Sequence, residues 1–253
     1  MRVCIYNTPV KLGKAAGTDA AELIRKAIES NGTANIILAT GTSQFETLNQ
    51  VISEKNIDWS RVVMFHLDEY IGLSMNHPAS FAKYLQERFL VQVPQLKAAY
   101  LINDQAAPME ECKRIGNLLR KHPIDVALIG IGENGHLAFN DPPADFEVEE
   151  PYIIVKLDEA CRKQQLGEGW FKSFKDVPLR AISMSIKQIL QSKNIICSVP
   201  DSRKAMAVKN TLGKNVSNLY PASILQMHKN CTIYLDKNSA VLLDDATKEQ
   251  VEK

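Results

Sequence analysis

Apolar positions along the chain follow two alternating patterns. Short runs rich in Val and Ile, at Asn35 to Ala39, Arg61 to Leu67, Asp125 to Ile131, Tyr152 to Leu157, Ala181 to Ser185, Asn194 to Val199 and Cys231 to Leu235, have the length and composition of buried strands. Between them, Ala20 to Ser30, Met109 to Lys121 and Ser202 to Leu212 place apolar residues three and four apart, as a helix with one buried face does. Strands alternating with helices predict βα units stacked around a mostly parallel sheet, an α/β fold in a single domain over residues 1–253. No internal repeat or low-complexity linker divides it. Two stretches break the alternation: Gly72 to Ala79, and Asn134 to Pro151 with its Asp141-Pro142-Pro143 turn. The acidic run Glu147, Glu149, Glu150 in the second reads as a solvated loop face. Irregular connections after strands are where such sheets keep their chemistry, because the carboxyl ends of the strands frame a crevice.

Composition narrows the classes. At 45% hydrophobic and 23% charged, the chain is built for an ordinary core, not for disorder or a coiled coil. Thirty Lys and Arg against 29 Asp and Glu leave a net charge of +1, so no overall field gathers nucleic acid or an anionic membrane, and neither is an expected partner. The segment from Met1 to Asn7, followed by Pro9 and Lys11, is too brief for a signal-peptide core. No later run approaches the roughly 18 apolar residues of a membrane span. A cytoplasmic protein is expected. Five widely spaced cysteines (Cys4, Cys112, Cys161, Cys197, Cys231) match neither a disulfide framework nor a zinc ligand set and read as small buried residues.

Four constellations could carry chemistry. In Ile36 to Ser43 an apolar strand passes into the small, hydroxyl-rich turn Thr40-Gly41-Thr42-Ser43, with a helix from about Gln44. Backbone N–H groups and the positive end of a helix dipole make such a turn a phosphate cradle; its plainer reading is a βα turn capped by Thr42 or Ser43. In Phe65 to Tyr70 a strand ends in adjacent acids, Asp68 and Glu69, and strand alternation lets only one face the crevice. A half-desolvated acid there is placed as a general base; its plainer reading is helix capping or loop solvation. The third, Leu128 to Pro142, contains a literal G-x-G-x-x-G from Gly130 to Gly135. It is not a dinucleotide fingerprint, since Asn140-Asp141-Pro142-Pro143 stops any helix within about two turns. The glycines instead let the backbone turn tightly and present His136, an acid/base candidate, with Asn134 and Asp141 near it. The fourth, Val199 to Ala205, brings Arg203 and Lys204 into a helix's first turn, where cations oppose the dipole unless solvated or given an anion.

In this order, the motifs Leu38-Ala39-Thr40-Gly41-Thr42, Leu67-Asp68-Glu69-Tyr70-Ile71-Gly72-Leu73 with His77-Pro78 and Ser80-Phe81, Gly130-Ile131-Gly132 with Asn134 to Asn140, and Lys204-Ala205 resemble the glucosamine-6-phosphate deaminase family, also called glucosamine-6-phosphate isomerases. The resemblance runs from about Gly13 to Leu243. It implies a modified Rossmann-like fold without a dinucleotide, and conversion of an amino-sugar 6-phosphate and water to fructose 6-phosphate and ammonia, with neither metal nor organic cofactor. By the same resemblance Asp68 moves a proton between C2 and C1 of the opened sugar. His136 assists ring opening, with Asn134 and Asp141 orienting it. Thr40, Gly41, Thr42, Ser43, Glu69, Lys204, Arg162 and Arg203 are the expected substrate contacts. A homo-oligomer is left open.

The chain departs from that family at three points. Many members have aspartate at the position of Asn134 and glutamate at that of Asp141. Where they carry an arginine shortly before a Phe-Phe pair, Arg162 to Phe171 runs about two residues longer and sets Gly169 at the best-matched position. Arg162, Lys163 or Arg203 could replace the arginine, whereas Glu168 would repel a phosphate if it faced the pocket. Two other readings keep the fold: 6-phosphogluconolactone hydrolysis, and a sugar-phosphate sensor without catalysis.

Overall fold

A computed structural model describes residues 1–244. The chain opens with β1 (Arg2–Tyr6) and α1 (Pro9–Asn31). The Thr8 hydroxyl accepts from the Lys11 N–H, Pro9 occupies the first turn where no N–H is needed, and Gly32 in left-handed conformation ends the helix. The predicted Ala20 to Ser30 is only its second half; the first half buries Leu12, Gly13, Ala16 and Gly17, mostly too small to register as an apolar stripe. There follow β2 (Ala34–Leu38), α2 (Phe45–Ser53), β3 (Val62–His66), β4 (Asp68–Tyr70), α3 (Phe81–Leu85), β5 (Ala98–Tyr100), α4 (Pro108–Leu119), β6 (Val126–Ile129), β7 (Tyr152–Lys156), α5 (Glu159–Gly167), β8 (Arg180–Met184), α6 (Ile186–Leu190), β9 (Asn194–Val199), α7 (Ala205–Gly213) and β10 (Cys231–Asp236).

Seven strands form a wholly parallel sheet in the order β1-β10-β9-β6-β2-β3-β5. Its strands are apolar on both faces, as a sheet covered by helices on both sides must be. Ile37, Phe65, Ala127 and Cys197 pack into one core, while their neighbours Ile36, Met64, Leu128 and Ile196 pack into the other. The seven predicted runs are all strands, but two of them, β7 and β8, do not join this sheet. They pair antiparallel with each other, and β4 pairs antiparallel with β8, in a second sheet of order β4-β8-β7. The sequence pattern carried no signal for β1, β4 and β5, two of which are only three residues long.

Strand order sets the location of the crevice. From β2 the sheet grows through β3 and β5 on one side, and from β6 through β9 and β10 on the other. The loops leaving β2 and β6 therefore diverge and open a cleft at the carboxyl ends of those strands. All five cysteines are buried, and Glu147, Glu149 and Glu150 are exposed. Among the described residues, no helix is long and apolar enough to cross a membrane.

Candidate active site

The turn after β2 is held rigidly. Gly41 has φ +94°, a conformation that favours glycine, and the one-turn helix Thr42–Gln44 leads into α2. The buried Gln44 amide donates to Ser43 Oγ (3.1 Å) and to the Ile129 carbonyl (3.3 Å), tying the turn to β6. Thr47 Oγ1 lies 2.8 Å from Ser198 Oγ, tying α2 to β9. The Tyr84 hydroxyl donates to the Gly41 carbonyl (3.3 Å).

The chain leaves the parallel sheet at Leu67, between β3 and β4, and the two adjacent acids that follow point different ways. Asp68 lines the cleft and is 6% exposed. No hydrogen bond from a described side chain reaches its carboxylate, and burial, with the charge of Glu69 adding to it, holds its pKa well above the carboxylate range. Glu69 does not line the cleft. Its Oε1 accepts from the N–H groups of Tyr70 (2.9 Å) and Phe81 (3.2 Å), and its Oε2 from Ser80 Oγ (3.0 Å) and the Ala82 N–H (2.7 Å). This caps the start of α3, so the expected substrate contact of Glu69 is corrected to a structural one. Burial still pushes its pKa up to about 7, against the pull of those four donors.

The segment after β6 forms no helix, so Gly130 to Gly135 is not the phosphate turn of a dinucleotide site. It is a tight bend in which the Gly132 N–H donates to the His136 carbonyl and the Gly135 N–H to the Gly132 carbonyl, both at 3.0 Å. The imidazole of His136 folds back over Gly132: a β-carbon there would fall 2.2 Å from Cε1 and Nε2, so only glycine leaves room for the ring. His136 Nδ1 lies 3.1 Å from Asp141 Oδ1, with the two side chains 8% and 7% exposed. The contact is an ion-pair distance without the alignment of a hydrogen bond. Asn134 accepts the His136 N–H (3.1 Å) and donates to Asp141 Oδ1 (3.0 Å) and Asp158 Oδ2 (3.2 Å), and the Asp158 N–H donates to Asp141 Oδ2 (2.9 Å). Burial pushes the Asp141 carboxyl up, but His136, Asn134 and the Asp158 N–H outweigh it and leave its pKa below the usual range. Asn134 and Asp141 thus brace His136 from outside the cleft. Cys161 completes a cluster of donor atoms within 4.8 Å of one another, but burial holds its thiol protonated, a poor state for binding a metal.

Asp68, His136, Thr40, Gly41, Thr42, Ser43 and Lys204 all line one cleft. Two arginines expected there are elsewhere. Arg162 donates to the carbonyls of Phe174 and Val177 and lies 4.1 Å over the Phe174 ring, which spends its guanidinium on a loop. Arg203 is 40% exposed and pairs with Asp201 and Glu133. Lys163 is also outside, paired with Glu159 on the exposed face of α5. Conversely, the cleft includes Gln164, Gln165 and Glu168 from the end of α5, with Phe81 and Phe139 as apolar walls. The sequence held no signal for the first pair beyond two adjacent glutamines, whose burial belongs to the tertiary structure. Phe81 and Phe139 stack at 5.6 Å, a tertiary contact no spacing reveals.

Residues 7–234 match the family model of glucosamine-6-phosphate isomerases/6-phosphogluconolactonase. A glucosamine-6-phosphate deaminase of Bacillus thuringiensis (strain Al Hakam) is 34% identical over 251 residues, which is 99% of this chain and 92% of that protein. A second, from Bacillus cereus (strain B4264), is 33% identical with the same coverage. The solved structure of a monomeric glucosamine-6-phosphate deaminase superposes with TM-score 0.85 at 31% identity, covering 96% of this chain and 100% of that one. A 6-phosphogluconolactonase from Trypanosoma brucei superposes at 0.79 with 18% identity, covering 96% and 98%, and so shares the fold.

Proposed function

This chain belongs to the glucosamine-6-phosphate isomerase/6-phosphogluconolactonase family, and from that membership we propose that it converts an amino-sugar 6-phosphate of the glucosamine type and water to a ketose 6-phosphate and ammonia. The observation that carries this reading is the meeting of Asp68 and His136, 68 residues apart, in the lining of a single cleft with Asp141 braced behind the imidazole.

The chemistry follows from the two environments. A carboxylate that is buried and without hydrogen-bond donors binds a proton tightly, so once ionised it is a strong base toward the C2 proton of the opened sugar. Moving that proton to C1 converts aldose to ketose and leaves C2 as an iminium, which water hydrolyses with release of ammonia. With Asp141 beside Nδ1, Nε2 of His136 is the nitrogen left to deliver a proton to the ring oxygen during opening. The turn Thr40 to Ser43 and Lys204 lie where the remote phosphate is held, and binding energy spent there positions C1 and C2 over Asp68.

The test is ammonia release and ketose phosphate formation from glucosamine 6-phosphate by the full chain. Asp68→Asn is isosteric and folds, and it loses activity by roughly 100- to 10,000-fold, the worth of a general base. Undiminished ammonia release by that variant removes Asp68 from the role, and lactone hydrolysis without ammonia replaces the reaction.

A further inference from the structure

Charge at the sugar-tail end of the cleft is balanced in an unusual way. Lys204 is 5% exposed, and no described residue accepts a hydrogen bond from its ammonium or forms an ion pair with it. A buried ammonium facing a hydroxyl-rich turn and the start of α2 suits an anion. Yet Glu168, just past the end of α5, turns its carboxylate into the same end: Oε2 lies 3.8 Å from where a β-carbon on Gly41 would sit. The carboxylate is held there. Its Oε1 accepts from Gln164 Nε2 (3.1 Å), and Gln164 Oε1 in turn accepts the Glu133 N–H (2.8 Å). Of the carboxylates acting on Lys204, Glu168 acts most strongly, ahead of Glu133 and Asp201.

Around this end the cations Lys204 and Arg203 meet the carboxylates Glu168, Glu133 and Asp201, Arg203 being paired with the last two, so no surplus positive charge remains, and Arg162 is spent on backbone carbonyls. A phosphate brings a charge of about −1.5 to −2 near neutral pH and would sit beside Glu168. A terminal hydroxyl meets the pair on better terms, donating to the carboxylate and accepting from the ammonium. We propose that the site also deaminates the amino sugar whose terminal carbon carries a free hydroxyl, and that Glu168 sets the balance between phosphorylated and unphosphorylated substrates. This rests on the deaminating-isomerase reading above. The reaction is the same for both substrates: a 2-amino-2-deoxy aldose and water give a ketose and ammonia, C2 being oxidised as C1 is reduced, with the C2 proton passing to C1 and no outside oxidant.

The experiment measures ammonia release from glucosamine and from glucosamine 6-phosphate, with inhibition by inorganic phosphate, for the native chain and for Glu168→Gln. The variant keeps the length of the side chain and its link to Gln164, and its fold is checked by its melting temperature. The native chain turns over both substrates. Glu168→Gln shifts the ratio of kcat/KM toward the phosphorylated sugar by about six- to tenfold, and tightens phosphate inhibition alike, the effect of one carboxylate roughly 6 Å from a phosphate under water-like screening. No ammonia from glucosamine overturns the further activity, whatever the variant does. An unchanged ratio removes Glu168 as the determinant. Ammonia from neither sugar overturns the deaminase reading itself, and with it this one.

Discussion

Glu69→Gln separates the two adjacent acids after β3. In the native chain both oxygens of Glu69 are filled, two donors each, three of them backbone N–H groups, two at the start of α3 and that of Tyr70 in β4. Glutamine offers one oxygen, so its amide nitrogen must face two donors. The Ser80 hydroxyl can rotate to accept; one backbone N–H is left buried and unpaired, and the remaining bonds lose their charge. At roughly 1.5–3 kcal/mol for a hydrogen bond to a charged group and a further 1–3 for a stranded donor, the cost is about 2–4 kcal/mol once partial relaxation is allowed. For a chain of this size each kcal/mol lowers Tm by roughly 2–4 °C, so the variant melts roughly 5–15 °C lower. The assay is calorimetry at about pH 8, above the value near 7 to which burial pushes the Glu69 carboxyl, paired with kinetics on the folded protein. KM for the amino-sugar phosphate stays unchanged, because Glu69 does not reach the cleft. The acidic limb of the pH–rate profile moves to lower pH, because the charge of Glu69 is one of the two causes raising the Asp68 pKa. A large rise in KM at native Tm would refute the reasoning, since it would mean that Glu69 touches substrate and does not cap α3.

Gly132→Ala drives a β-carbon into the His136 ring, 2.2 Å from two of its atoms, so the imidazole must move by about an ångström. Activity falls by roughly 100-fold with substrate inhibition constants little changed, and single-turnover kinetics would expose the error if the chemical step kept its native rate. His66 is fully buried, and burial lowers its pKa to about 3, so the unfolded chain binds a proton that the native one refuses. Stability from this group is intact above about pH 6.5 and is lost as pH falls toward 3, by roughly 3 kcal/mol at pH 4. Urea unfolding at pH 7 and pH 4 gives a shallower acid dependence for His66→Gln than for the native chain; equal dependences would show that His66 is protonated in the fold.

The chain's own pattern was enough to place seven strands, the α/β class and the two interruptions that hold the chemistry, because apolar run length and helical spacing are local properties of neighbouring residues. It also isolated Asp68 and His136, each marked by a break at a strand end: two acids in one case, closely spaced glycines in the other. Which sheet a strand joins is not local. β7 and β8 read like any other Val- and Ile-rich runs, yet they pair antiparallel with each other, and β4 adds to β8 because the chain turns out of the parallel sheet at Leu67. Side-chain destination was equally hidden. Sequence offered Arg162 and Arg203 as cations near the substrate, but Arg162 binds the carbonyls of Phe174 and Val177, and Arg203 pairs with Asp201 and Glu133. Gln164 and Glu168 reach the cleft only because α5 packs its carboxyl end against the mouth of β2 and β6. Spacing along a chain fixes which residues share a face of one element; which faces then meet is decided by packing between elements distant in sequence, and there charge finds its partner.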